Sequence, residues 1–323
     1  MKDFVRATTG VEVVTELADQ VKGKTFVITG ASDKGLGAET AIALAQANPA
    51  HLILTARAQA RVDPVITRIK DVNSSINATF VPIELDDFDS VRSAADTINN
   101  SVDKIDCLIN NAGIMAVDEY KTNKSGIELQ FATNHLGHFL LTRLLMAKIL
   151  AAAPGARIVN LTSLCYKIGP VRFDDYNFTD GKEYDPWSGY GQAKTSNILF
   201  SRALADKLRS RQIQSYAVHP GAILTTNLGR YITEVEKSLA SIDPIAVKNT
   251  GRHFIMAEDV PKPIEQGITT TLIAALDPRV EGNSGAYLAD TKVEPTYEYA
   301  EDRGNMERLW TLSEELVGEK FDI

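Results

Sequence analysis

Short apolar runs alternate with longer stretches whose apolar positions recur every three or four residues, and this alternation holds along most of the chain. Thr25-Phe-Val-Ile-Thr29 reads as a buried strand, and Leu36 to Ala47 as the helix after it. His51 to Thr55 is a second strand and Ala78 to Ile83 a third, with a helical pattern between them. Cys107 to Asn110, Arg157 to Thr162 and Gln214 to His219 continue the series. Strands that are apolar throughout and separated by crossover helices imply a parallel sheet covered on both faces. The predicted class is α/β with a doubly wound parallel sheet. No linker interrupts the pattern, so residues 1–323 read as one domain.

Two segments break the rhythm. Cys165 to Ser188 is a polar, aromatic-rich excursion, and Leu224 to Lys262 is a long connection after the sixth strand. Both leave the carboxyl ends of strands, where open α/β sheets bind ligands, so they are read as binding loops or lids rather than surface decoration. Asp302 to Leu316 reads as an amphipathic helix packed on the outside.

Directly after the first strand comes Gly30-Ala-Ser32-Asp-Lys34-Gly35-Leu36-Gly37, opening a helix. Glycines there permit a tight turn and close approach of backbone to a pyrophosphate on the helix N-terminus, the Rossmann-like arrangement. No Lys-Ser or Lys-Thr follows Gly35, which excludes a nucleotide triphosphate loop. The second strand ends Thr55-Ala56-Arg57. An acid expected there for a ribose 2′-hydroxyl is replaced by a cation, and Lys34 adds another; together they favour NADP(H) over NAD(H). Further along, Tyr190-Gly-Gln-Ala-Lys194 sets a phenol and an ammonium on one helix face. A cation beside a phenol favours phenolate, which suits proton exchange with an alcohol or carbonyl oxygen.

Composition narrows the setting. The net charge of −8 argues against a nucleic-acid partner, and two cysteines, Cys107 and Cys165, provide no disulfide framework. Both read as small apolar packing residues. The charged stretch Met1 to Lys24 lacks the apolar core of a signal peptide, and no stretch is long and apolar enough to span a bilayer, so a cytoplasmic protein is expected. His135 and His138 have no carboxylate or cysteine at metal-ligand spacing; no metal is expected. Asp86-Asp87-x-Asp89 reads as a helix start rather than a calcium loop, and Met115 and Phe131 as core.

In order along the chain, TGASDKGLG, NNAG at Asn110 to Gly113, NHLGHFLL from Asn134, RIVNLTS up to Ser163, YGQAK and HPG at His219 to Gly221 resemble the short-chain dehydrogenase/reductase superfamily. The resemblance runs from about Lys22 to Leu316 and is narrowest to its retinol-dehydrogenase-like and WW-domain-oxidoreductase-like branch. It implies that Tyr190 is the general acid/base, and that Lys194 holds the nicotinamide ribose and lowers the Tyr190 pKa. It also implies that Ser163 hydrogen-bonds the substrate oxygen and that Asn134 helps anchor a relay water near Lys194. Asn111, Ala112 and Gly113 would lie by the adenosine ribose, Glu84 near the adenine, and Ile223 and Thr225 by the nicotinamide carboxamide, with Leu85, Pro220 and Gly221 also among the cofactor-binding residues. Relatives commonly pair the helices carrying Asn134 and Tyr190 across a homodimer, and the apolar stretch Phe139 to Leu150 is the expected surface for it.

The chain departs from the family pattern in three places. Four residues separate Gly30 from Gly35 where three are usual; Glu84 stands in place of an Asp; and Ser163 and Tyr190 are 27 positions apart, wider than in simpler members. The branch shares that insertion, but no segment here matches its common membrane anchor.

The expected activity is NADP(H)-dependent interconversion of a ketone or aldehyde and an alcohol, with secondary metabolism as the expected setting. Two rivals stand beside it: a non-redox isomerisation, dehydration or cyclisation on the same scaffold, and a non-enzymatic nucleotide-sensing scaffold. An intact Ser163, Tyr190 and Lys194 set weighs against the last.

Overall fold

The computed structural model describes residues 2–323. Eight strands form one sheet: β1 Thr25–Thr29, β2 His51–Ala56, β3 Asn77–Pro82, β4 Cys107–Asn110, β5 Arg157–Leu161, β6 Gln214–His219, β7 Tyr287–Ala289 and β8 Lys292–Glu294. Their order is β3-β2-β1-β4-β5-β6-β7-β8, parallel except for the β7–β8 hairpin. The order reverses between β1 and β4, which opens a crevice at their carboxyl ends. β1 and β2 are buried along their whole length, as continuous apolar strands require. β3 lies at the edge, half exposed, and ends in Pro82, which an edge strand tolerates.

Alternate residues face opposite layers. Val27, Ile53, Leu108 and Ile158 face α4 (Phe88–Ser101), α6 (Gly137–Leu150), α7 (Pro186–Leu208) and α11 (Arg303–Val317). Phe26, Ile28, Leu52, Leu54 and Ile109 face α1 (Gly10–Glu16), α2 (Leu36–Ala45), α3 (Asp63–Val72) and α10 (Thr269–Leu276). α11 lies where the amphipathic Asp302 to Leu316 pattern placed it, capped by Asp302.

The Leu224 to Lys262 connection is not all loop: it carries α8 (Val235–Thr250). The Cys165 to Ser188 segment is irregular but packed. Phe178 is fully buried with the Arg172 guanidinium 4.9 Å from its ring centre, and Asn177 accepts from the Glu128 amide at 2.9 Å.

The stretch proposed for subunit pairing is core. Phe139, Leu140, Leu141, Leu145, Met146 and Ile149 are buried, and Phe139 meets Trp310 of α11 and Phe321 at ring separations of 5.2 and 5.4 Å. Trp310 of α11 and Phe321 cover this stretch from outside. Light scattering is therefore expected to give the one-chain mass of 35.3 kDa; a dimeric mass would mean pairing through a different face. Among the described residues no helix is long and apolar enough to cross a membrane, and no cluster of His, Cys, Asp and Glu could hold a metal ion.

Candidate active site

The glycine turn sits in the crevice between β1 and β4. Gly30 takes φ +69°, and a Cβ there would lie 2.8 Å from the Ala112 Cα. At Gly37 a Cβ would meet the Asn111 Nδ2 at 2.6 Å, so turn and helix can press against the NNAG segment only as glycines. Asn111 braces the turn: its amide donates to Thr29 Oγ1 (2.9 Å) and its Nδ2 to the Thr29 carbonyl (2.7 Å), while the Ala112 amide also donates to Thr29 Oγ1. Gly35 begins α2 with no side-chain cap, which leaves the first-turn amides of Leu36 and Gly37 without a side-chain acceptor. The extra residue in this turn is absorbed on the outside. The Asp33 amide donates to the Arg61 carbonyl (2.8 Å), its carboxylate lies 3.9 Å from Arg68, and Lys34 takes φ +62°.

At the end of β2, Arg57 is exposed and makes no hydrogen bond or ion pair among the described residues; the same holds for Lys34. Ser32 is partly buried, Glu84 is exposed and Leu85 is buried. An open helix N-terminus, a close-approach glycine turn and unpaired cations form a donor set that fits a dinucleotide. Ile223 and Leu36 both pack against Gly267, which brings the segment after β6 next to the glycine turn. Pro220 and Gly221 are half-buried beside it, and Thr225 is exposed.

Ser163, Tyr190 and Lys194 converge beyond that turn. Asp185 caps α7, accepting from the Trp187 and Ser188 amides at 2.9 Å, and Pro186 occupies the first turn. That start fixes the phase of α7, so Tyr190 and Lys194 both point inward, 2% and 4% exposed. Lys194 Nζ donates to the Leu161 carbonyl at 3.1 Å and lies 5.4 Å from the Tyr190 ring centre. Ser163 begins the turn after β5. Its Oγ accepts from the Cys165 amide (3.1 Å), and the Ser163 side chain is the neighbour that acts to lower the Tyr190 pKa. Cys165 thus lends backbone to the site, while Cys107 is plain core.

Electrostatics differ from the expectation that Lys194 lowers the Tyr190 pKa. Burial is the largest influence and pushes the phenol well up; Cys165 and Asp259 add to this, and only the Ser163 hydroxyl opposes it. Burial also lowers Lys194, to about 8. An ammonium that is itself desolvated and turned toward a carbonyl cannot offset the loss of solvent around the phenol.

Asn134 lies in a π-helical turn, Ala132–Leu136, rather than a regular helix. Its side chain accepts from the Ile114 amide (2.8 Å) and donates to the Ile114 carbonyl (2.9 Å); its carbonyl accepts from His138 Nδ1 and Asn197 Nδ2. Asn134 therefore clamps the β4 exit to the helix, next to Lys194. His138 and His135 are buried, with Thr29 and Ser313 as partners, and burial drives both down, to about 4 and about 3.

Above Ser163 and Tyr190 lies an apolar cover: Ala116, Leu164, Ile168, Trp187, Ile242, Ala246 and Phe254, with Met115 packed beside them. Met115 packs, partly buried, against this apolar cluster, and Phe131 is core. α8 forms the roof, held by Trp187 Nε1 to the Ser238 carbonyl (2.9 Å) and Asn249 Nδ2 to Ser188 Oγ (2.8 Å).

A doubly wound sheet with a glycine turn at its switch point and a Ser, Tyr and Lys set beside it defines a nucleotide-dependent class of enzyme folds. The family model for short chain dehydrogenase matches residues 24–237, and the chain belongs to that family, in its retinol-dehydrogenase-like branch. It is 34% identical over 303 residues to mouse (Mus musculus) retinol dehydrogenase 12, covering 94% of this chain and 89% of the relative. With human (Homo sapiens) retinol dehydrogenase 14 it shares 35% over 309 residues, 92% and 87% of the two chains. An uncharacterized protein from Mycobacterium paratuberculosis superposes with a TM-score of 0.69 and 29% identity, covering 95% of this chain and 98% of that one. The family uses nicotinamide cofactors.

Proposed function

We propose that this chain is an NADP(H)-dependent oxidoreductase that interconverts a carbonyl, ketone or aldehyde, with an alcohol by hydride transfer. The observation that carries this reading is the convergence of the Ser163 hydroxyl and the buried Tyr190 phenol under an apolar cover, beside the open glycine turn. A nicotinamide held at the glycine turn would supply or accept the hydride. This chain does the rest. Ser163 takes a bond from the Cys165 amide through its oxygen and keeps its own proton to donate to the substrate oxygen. Tyr190 gives that oxygen its proton in reduction and takes it back in oxidation. A neutral phenol at neutral pH suits the reducing direction. Lys194 and Asn134 hold the floor of the site through Leu161 and Ile114. The apolar cover, and relatives whose names specify retinol, support a substrate with an apolar body next to its carbonyl or alcohol. Two free cysteines fit a cytoplasmic setting. The test is a panel of ketones and aldehydes followed through the nicotinamide absorbance band: consumption of NADPH that depends on substrate supports the reading, and cofactor binding without turnover on any member opposes it.

Arg57 and Lys34, both unpaired and flanking the ribose end of the crevice, support the preference for the 2′-phosphate. Arg57→Ala should weaken NADPH binding roughly ten- to a hundredfold, the loss of a hydrogen bond to a charged group, and leave NADH binding unchanged. Equal losses for both cofactors, read by fluorescence titration, would remove Arg57 from this role.

A further inference from the structure

β6 ends at His219, whose ring has two partners. The Leu164 amide donates to Nδ1 (3.2 Å), and Nε2 lies 3.2 Å from Asp259 Oδ1. A backbone amide only donates, so Nδ1 is the bare nitrogen and the proton sits on Nε2, which donates to the carboxylate. The same Asp259 oxygen accepts from the Ala222 amide at 2.8 Å. Burial alone would raise the Asp259 carboxyl, but the His219 and Ala222 bonds and the nearby Lys262 ammonium hold it below its usual range.

The groups joined in this way belong to three parts of the site. Leu164 lies between Ser163 and Cys165, whose amide aims the Ser163 oxygen. Ala222 precedes Ile223 on the nicotinamide side. Asp259 belongs to the far root of the segment that carries the α8 roof, and that root is pinned: Arg6 donates to the Val260 carbonyl, and Lys262 pairs with Asp290 at 2.6 Å. A carboxylate fixed from behind holds the imidazole in one tautomer and one orientation, and so fixes the Ser163–Cys165 turn. Without Asp259, the ring would be free to rotate about its side-chain bonds and would lose the contact that keeps Nδ1 on the Leu164 amide.

We propose that Asp259, acting through His219, is a positioning residue for the hydride-transfer reaction: it holds the Ser163–Cys165 turn in register and ties it to the root of the α8 roof. The proposal rests on the reading of Ser163 as donor to the substrate oxygen.

The test uses the full-length protein, a reducible substrate from the panel above and NADPH, with four variants: D259A, D259N, S163A and D259A/S163A. D259A should lower kcat roughly tenfold to a hundredfold, the scale of a misplaced reacting group, with KM and NADPH affinity near those of the parent. D259N keeps the Oδ1 acceptor for both His219 and Ala222, so most of the rate should return. In the S163A background, D259A should cost little more, because both changes act on one hydroxyl. A parent-like kcat in D259A overturns the proposal. So does a raised KM with kcat intact, which would reduce Asp259 to roof packing, and so do losses that multiply in the double variant. If D259A does not fold, H219A breaks the same link from the strand side and carries the same expectations. Full activity in S163A overturns the underlying reading of Ser163 and this proposal with it, whereas a damaged S163A beside an undamaged D259A overturns this proposal alone.

Discussion

Tyr190→Phe is expected to keep the fold and NADPH binding and to lose roughly a hundred- to ten-thousandfold in turnover, the range for removing a positioned general acid. The phenol ring packs between Trp187, at 6.2 Å ring separation, and the apolar cover, and Phe preserves that packing. What disappears is the hydroxyl assigned to proton transfer. Because burial drives this phenol upward, the parent should hold its reductive rate across neutral pH, while its oxidative rate climbs with alkalinity as the phenol ionises. The flat variant should show neither limb. Near-parent turnover in Tyr190→Phe, measured on a substrate the parent reduces, would sink the mechanism while leaving the fold untouched.

Lys194→Met should separate two properties that usually fall together. Turnover and cofactor affinity should drop, since the resemblance assigns one ammonium to both tasks. Stability of the cofactor-free protein should rise. Burial lowers Lys194 from 10.5 to about 8, so the unfolded chain binds this proton more tightly than the folded one. The resulting destabilisation is fully present below about pH 8, fades as the pH climbs toward the unfolded value of 10.5, and is absent above it. Its size below about pH 8 is on the order of 3 kcal/mol, less the bond from Nζ to the Leu161 carbonyl that Met cannot make. Urea unfolding of parent and variant should therefore diverge most at about pH 7 and draw together by about pH 10. Curves that coincide at both values would mean that Lys194 is solvated in solution.

Much of the crevice was legible because its signals are local. β1, β4, β5 and β6 follow from apolar runs, and the glycine turn from residues adjacent in sequence. The Asp185-Pro186 start of α7 sets the helical phase of Tyr190 and Lys194. α1 was overlooked, although Thr9 and Glu12 form a capping box that announces it, with the Glu12 carboxylate returning to the Thr9 amide at 2.8 Å. β7 and β8 are three residues each, too short for alternation to stand out from loop.

The sequence by itself determined strands β1 to β6, the family, the turn that can approach a pyrophosphate, and the helix face shared by Tyr190 and Lys194. The strands, the turn and the helix face rest on spacings of a few residues, which backbone geometry converts directly into faces and turns, whereas Ser163, 27 positions before Tyr190, was named only by the family resemblance. Only the tertiary structure decided that Phe139 to Leu150 is covered by α11 and Phe321, that α8 roofs the site, and that Asp259 reaches His219 across 40 positions of chain. It also decided the sense of the Tyr190 shift. Spacing placed a cation near the phenol, but the balance between that charge and lost solvent depends on every element packed around both, and here desolvation wins.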